Sequence, residues 1–487
     1  MGTREWTNPR NGESRTLTMD THTRSEVLAV AKQSRLAWES FRYYPPKSRG
    51  RVLRIIADAL DSHSEQVVAL ADEESALGVP RLAGEVVRTS FQLRMFAHAL
   101  EQNELLPSEV DGAVEGGPPA GRPELVRHHV PLGPVAVFGA SNFPFAFGVL
   151  GGDFASALAA GCTVVAKEHS AHPRLSLRLV EIAREALRSA AEDPDFVLSI
   201  RGTEAGAELV TAPEIAAVGF TGSVSGGRFL FDLAVSRPKP IPFYGELGSV
   251  NPVFISREAA ESRAEEIGTG FVDSLLLGAG QFCTKPSVLF FPVGSAILSH
   301  VVDALKQAKP MPLLTPRIAE AYREQVQKLL TSNAQSLLTL PEPQQEGAWV
   351  VPFVFQTSVD EMLSGSSPLG EECFGPAAVV VAYSTDEEAL ALARQGEGAL
   401  VGCVHGEIGD QLAGTLVRAL ATRMGRVVWN GWPTGVSVAP AQMHGGPYPA
   451  ATVPGATSVG LHAAARFSRP VVFQSVPIEL QPSRVGL

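Results

Sequence analysis

Hydrophobic positions in the first hundred residues recur at helical spacing. Thr23 and Glu26 make a capping-box pair at the head of an amphipathic stretch, and Pro45-Pro46 ends it. Two further helical runs are predicted over 48–70 and 81–101, and the Gly- and Pro-rich segment 107–123 reads as a loop. The first 20 residues show no such period and are expected to be the least ordered part of the chain. From Pro134 the pattern changes. Short β-branched runs (Val135-Ala136-Val137-Phe138, Thr163-Val164-Val165-Ala166, Phe196-Val197-Leu198, Ala217-Val218-Gly219-Phe220 and 241–247) alternate with helical stretches, as in a parallel sheet with crossover helices. Gly161 falls where the helix 149–160 should end and supplies a left-handed cap. After Asn251 the alternation resumes with a helix over 259–277, a strand over 287–293 and a helix over 296–309, which predicts a second α/β unit. The run 469–476 reads as a late strand, expected to complete a sheet elsewhere in the chain or in another subunit.

Length and composition bound the answer. At 487 residues the chain is too long for one core and suggests two or three domains. With 45% hydrophobic and 19% charged residues it belongs with globular proteins rather than disordered ones. A net charge of −11 disfavours a partner held by phosphate neutralisation, so nucleic acid is not expected as a ligand. The polar opening lacks the pattern of a secretory signal, and Trp6 stands where a myristoylation site wants Ser or Thr. Apolar runs such as 377–382 are strand-sized, so a cytoplasmic protein without a membrane partner is expected. Cys162, Cys283, Cys373 and Cys403 lie far apart, which predicts reduced thiols rather than disulfides or a zinc site.

Several residues could carry chemistry. Gly278-Ala279-Gly280-Gln281-Phe282-Cys283-Thr284 puts a thiol after a glycine-rich break where ligand can approach, although a buried structural thiol would read the same way. Glu246, in Tyr244-Gly245-Glu246-Leu247-Gly248, ends a predicted strand and could serve as a base or be simply solvated. Asn142 follows the first strand of the sheet, where its amide could stabilise an oxyanion or close a turn before Pro144. Phe220-Thr221-Gly222-Ser223 joins a strand to a helix whose amides could face a phosphate, but it is not G-x-G-x-x-G. Lys167 ends the second strand, where a doubly wound sheet meets an adenine ribose. His169 and His172 have no further ligands clustered with them, so no metal site is expected.

Taken in order, Asn142, Lys167, Phe220-Thr221-Gly222-Ser223, Glu246-Leu247-Gly248, Gly280-Gln281-x-Cys283 and Glu372-Cys373-Phe374-Gly375-Pro376 resemble the aldehyde dehydrogenase superfamily over nearly the whole chain. The resemblance implies an α/β fold with three parts: a parallel-sheet cofactor domain (1–118 and 133–245), an α/β catalytic domain (246–445), and a small bridging sheet for oligomers (119–132 and 469–487). It implies Cys283 as nucleophile, Glu246 as general base and Asn142 as oxyanion donor. Lys167 and Ser170 would hold the adenosine ribose or its phosphate, Gly222 and Ser223 the pyrophosphate, and Glu372 and Phe374 the nicotinamide ribose. Phe143, Phe145 and Phe282 would wall the aldehyde tunnel, and Arg94 is the nominal partner for a substrate carboxylate.

Within the superfamily, Gly248-Ser249-Val250-Asn251-Pro252, Phe282-Cys283-Thr284-Lys285-Pro286 and Gly445-Gly446-Pro447-Tyr448-Pro449-Ala450 resemble the α-ketoglutaric semialdehyde dehydrogenase group. That points to oxidation of such an aldehyde with NADP, NAD being the alternative, in a homodimer or homotetramer. Glu168 departs from the group's usual small residue and would repel a 2′-phosphate if it pointed inward. Three rival readings remain at this level: a dehydrogenase for long-chain aldehydes, a CoA-acylating enzyme, and a thiol hydrolase using Cys283 with a histidine. The second conflicts with Glu246, and no His lies near Cys283 in sequence to favour the third. Burial is expected to raise the Glu246 pKa toward neutrality for its role as base.

Overall fold

The computed structural model describes residues 3–365 and 370–481. The chain opens with an antiparallel hairpin, Thr3–Thr7 against Ser14–Thr18, where disorder was expected. Its alternation is too short to register as a period, yet Trp6 is buried and the Arg174 guanidinium stacks over its ring at 5.0 Å. The helix Arg24–Phe41 starts at the expected cap: the Thr23 side chain and the Glu26 backbone N–H pair, and Glu26 Oε2 accepts from Thr23 N at 2.7 Å. The predicted helix over 48–70 is two helices, Pro46–Ser62 and Ser64–Ser75, separated at His63, with Pro46 in the first turn where its missing N–H costs nothing. The next helix, Val79–Glu101, supplies the wall of the site described below.

Five parallel strands form the first sheet, in the order Val197–Ile200, Val164–Lys167, Val135–Phe138, Ala217–Thr221, Phe243–Glu246. The chain enters at the middle strand, runs outward to one side and returns to the other. The strand order therefore reverses between Val135–Phe138 and Ala217–Thr221, which is where ligands bind in open α/β sheets. Gly161 caps the helix Gly152–Ala160 with φ 94°, as its position predicts.

The second sheet has seven strands, with the order Gln335–Ser336, Phe353–Thr357, Ala377–Tyr383, Pro286–Pro292, Asn251–Ile255, Ala399–His405, Met424–Trp429. All neighbours are parallel except the short edge strand Gln335–Ser336. Its central strands are continuous apolar runs, as burial on both faces requires.

A third, antiparallel sheet joins Ser468–Gln474, Leu125–Pro131 and Glu109–Asp111. The strand Glu109–Asp111 falls in the segment 107–123 that reads as a loop; three residues exposed on both faces carry no hydrophobic signal. The late strand pairs within this chain, and 482–487, read with the bridging sheet, lie outside the described residues. Ala463, Ala464 and Phe467 pack into the core that holds the helices Pro46–Ser62 and Val79–Glu101, so the chain returns to its N-terminal half before that strand begins. No helix among the described residues is long and apolar enough to cross a membrane.

Candidate active site

Cys283 follows the helix Arg257–Leu276 on a tight turn. Gly278, Ala279 and Gly280 have φ of 59°, 58° and 66°, three successive residues in the left-handed region. A methyl group at Gly280 would run into the carbonyl of Gly375, so glycine is needed there both for the dihedral and for the close backbone approach. The turn is pinned from below by the fully buried Asn251, whose amide donates to the carbonyls of Cys283 at 2.8 Å and Lys285 at 3.0 Å. Gln281 Oε1 accepts from Leu314 N at 2.9 Å and ties the other side. Cys283 is half-buried; the other three thiols are buried.

Glu246 ends the last strand of the first sheet. The segment after Gly446 holds it there: Leu247 N donates to Ala450 O at 2.8 Å and Glu246 itself bridges to Ala451. The same segment delivers a residue the sequence did not flag. His444 Nε2 lies 2.7 Å from Glu246 Oε1 and 3.7 Å from Cys283 Sγ, and Ser458 Oγ donates to Glu246 Oε2 at 2.5 Å. Ligand-type atoms of Cys283, Glu246 and His444 all lie within 4.8 Å of one another. No histidine lies near Cys283 in sequence, and His444 stands 161 positions further along the chain, so spacing carries no signal of this contact. His444 stands immediately before the run Gly445 to Ala450 that marked the subgroup, the one hint in the sequence.

The electrostatics also depart from expectation. Burial pushes the Glu246 carboxyl up, but His444, Ser458 and Arg466 together outweigh it and leave the pKa below the ordinary carboxylate range. The Cys283 thiol moves the other way: burial raises it well above the ordinary range, and the charges of Glu246 and Glu372 add to that. Glu372 is pushed up to about 7 by burial, opposed by Lys285. Gly248 lets it approach, since a methyl there would collide with the Glu372 carboxylate.

Asn142 is buried and donates from Nδ2 to Gln281 O at 2.8 Å, which orients its amide beside the thiol's turn and leaves its second N–H to give. Phe143 and Phe282 meet edge to face at 5.0 Å, forming an aromatic wall next to Cys283. Phe145 is not part of that wall: it is 1% exposed and packs into the core with Leu82, Val86 and Leu93. The aromatic that faces the site is Phe147, 5.7 Å from the His444 ring. Arg94 is also misassigned, because it is occupied by Asp58 at 2.6 Å and Asp61 at 2.7 Å.

Lys167 and Ser170 lie at the end of the second strand, and Gly222 and Ser223 at the end of the fourth, flanking the strand that leads to Asn142. Ser223 caps the helix Val224–Val235, accepting from Gly226 N at 3.3 Å, so the amides of that helix open at the carboxyl edge of the sheet. A methyl at Gly222 would stand 2.7 Å from the Phe220 ring, which keeps the backbone bare at this helix start. Glu168 does not project into this region: it is buried, accepting from Ser199 Oγ at 2.8 Å and Arg201 Nε at 2.6 Å. Phe374 follows Glu372 in the loop before the strand Ala377–Tyr383. His169 and His172 stack at 5.0 Å, with His172 bonded to Ser176 and the Ala140 carbonyl.

The aldehyde dehydrogenase family model matches residues 2–447. The α-ketoglutaric semialdehyde dehydrogenase of Acinetobacter baylyi is 35% identical over 464 residues, covering 94% of this chain and 88% of the relative. The α-ketoglutaric semialdehyde dehydrogenase 2 of Azospirillum brasilense is 38% identical over 468 residues, again covering 94% and 88%. Among solved structures, methylmalonate-semialdehyde dehydrogenase from Oceanimonas doudoroffii superposes with a TM-score of 0.83 over 98% of this chain and 95% of that one, at 20% identity.

Proposed function

The chain belongs to the aldehyde dehydrogenase family and oxidises aldehydes to acids with NAD(P), and on that premise we propose that its substrate is α-ketoglutaric semialdehyde or a close analogue and its preferred cofactor NADP. The observation that carries the substrate is the likeness, at 35% and 38% identity, to two α-ketoglutaric semialdehyde dehydrogenases. NADP is favoured because Glu168 is turned to Arg201 and Ser199, so its own carboxylate does not oppose a 2′-phosphate at Lys167 and Ser170. The open helix start at Gly222 and Ser223 suits a pyrophosphate.

In this reading the Cys283 thiol gives up its proton toward His444 Nε2, 3.7 Å from the sulfur, and the sulfur attacks the aldehyde carbon, forming a C–S bond while the carbonyl oxygen becomes an alkoxide. Asn142 Nδ2 and the Cys283 backbone N–H donate to that oxygen. Bound nicotinamide supplies the hydride acceptor. Loss of hydride leaves a thioester, which water then attacks. Glu246 takes the water's proton, the C–S bond breaks, and the acid departs with the thiolate restored. A carboxyl below its ordinary range is ionised and ready at neutral pH but is a weak base. His444, 2.7 Å away, is the first of the groups that hold it ionised against burial. A recess lined by Glu246, His444, Ser458 and Arg466 gives the hydrolytic water a place beside this pair.

Steady-state rates for a panel of aldehydes with NAD and NADP test the reading. The highest kcat/KM is expected for α-ketoglutaric semialdehyde with NADP, and a preference for long-chain alkanals would overturn it.

A further inference from the structure

The helix Val79–Glu101 turns Arg81, Glu85 and Arg88 to one face, at i, i+4 and i+7. Arg81 Nη2 donates to the Asn142 carbonyl at 2.6 Å, and its guanidinium stacks 5.0 Å from Phe143 and 4.9 Å from Phe282. Arg88 donates to the Val436 carbonyl and stacks 6.0 Å from Phe147. Neither guanidinium is saturated: Arg81 Nη1 and Arg88 Nε are buried donors without a partner. Glu85, the carboxylate between them, accepts through Oε1 from Phe145 N at 2.8 Å and Ala146 N at 2.9 Å and offers them its charge, but no hydrogen bond joins its Oε2 to either guanidinium. Arg426, the next cation toward Cys283, is spent on the carbonyls of Pro433 and Gly435. Two guanidinium groups against one carboxyl leave a surplus positive charge on an aromatic wall beside the thiol.

Buried cations with unmet donors are costly unless an anion completes them. The wall's chemistry says which anion. Aromatic faces accept the carbon chain, and a planar guanidinium matches a carboxylate. Arg88 is the guanidinium of the pair whose charge reaches the Cys283 sulfur, so an aldehyde carbon at the thiol would bring the far end of a short chain toward it.

We propose that Arg88, with Arg81 beside it, binds the far carboxylate of the aldehyde and so determines specificity for semialdehydes that end in a carboxylate. This rests on the substrate reading above and names the residues that carry it out.

The test measures kcat/KM, with saturating NADP, for α-ketoglutaric semialdehyde and for uncharged pentanal in wild type, Arg88→Met, Arg88→Lys and Arg81→Met. It also measures competitive inhibition by glutarate. One charge-assisted bond is worth about 10- to 100-fold in affinity. The semialdehyde should lose about that factor in Arg88→Met, through KM rather than kcat, while pentanal changes by less than about threefold on the same ground. Arg88→Lys should recover part of the loss, Arg81→Met, which also removes the bond to the Asn142 carbonyl, should slow both aldehydes and the semialdehyde more, and the inhibition constant of glutarate should follow the semialdehyde. Equal losses on both aldehydes would reduce Arg88 to a prop for the Val436 loop and overturn the proposal, as would an intact preference in Arg88→Met. A wild type that does not prefer the semialdehyde refutes the substrate reading. Glutarate inhibition indifferent to Arg88 refutes the carboxylate site independently of it.

Discussion

Replacing His444 by Phe keeps an aromatic ring against Phe147 and removes the partner of Glu246. In the native protein His444 Nε2 stands 2.7 Å from Glu246 Oε1, both side chains about 95% buried. Charge-assisted bonds contribute about 1.5–3 kcal/mol net, equivalent to about 1–2 pKa units at about 1.4 kcal/mol per unit. The sign follows from the native balance: His444 helps hold the Glu246 carboxyl down against burial, so its loss lets burial raise it. Hydrolysis of the thioester needs the ionised base, and its acid limb should therefore move to higher pH. Stopped-flow absorbance of the reduced cofactor separates the two steps, the burst reporting hydride transfer and the steady state reporting hydrolysis. In His444→Phe the burst should persist as the pH is lowered, while the steady state should fall off at a higher pH than in the native protein. An acid limb that stays in place or moves to lower pH, in a variant with native thermal stability, would refute the coupling of His444 to Glu246.

The thiol gives a second test. Because burial, Glu246 and Glu372 all raise Cys283, alkylation by iodoacetamide in the absence of cofactor should be slow at pH 7 and accelerate as the pH rises above 9. Glu246→Gln removes one of those charges and should speed alkylation at pH 7, about tenfold for each pKa unit recovered; slower alkylation would instead make Glu246 the base that activates the thiol. On the turn itself, Gly280→Ala places a side chain at φ 66° against the Gly375 carbonyl, with left-handed strain of about 1–2 kcal/mol before the clash is added. Its thermal midpoint should fall and its turnover should fall further; an unchanged midpoint would contradict the account of this turn.

What the sequence could and could not tell follows from the range of each signal. Periodicity and caps are local, so the helix at Thr23, the cap at Gly161 and the first parallel sheet were legible from their own residues. The break at His63 was hidden because an amphipathic pattern runs through a single non-helical residue. The Trp6 hairpin and the strand Glu109–Asp111 were missed because their stability comes from partners far along the chain. The same holds at the site. Cys283, Glu246 and Asn142 announce themselves by glycines and strand ends, and the structure brings these three to one place. His444, Arg81 and Arg88 acquire meaning only when the second half of the chain folds over the helix Val79–Glu101. Phe145 and Phe147 show the limit of spacing: two residues apart on one irregular loop, one enters the core and the other faces His444.

The central claim is that Cys283 carries the acyl group of α-ketoglutaric semialdehyde between hydride loss and hydrolysis. Glu246→Gln enzyme mixed with this aldehyde and NADP, quenched in acid and digested, reports it directly by peptide mass. The account predicts one acyl group on the peptide containing Cys283, formed in step with reduced cofactor and absent when NADP is omitted. Reduced cofactor formed without an adduct under conditions where the variant's hydrolysis is arrested, or an adduct on Cys162, Cys373 or Cys403, would contradict it.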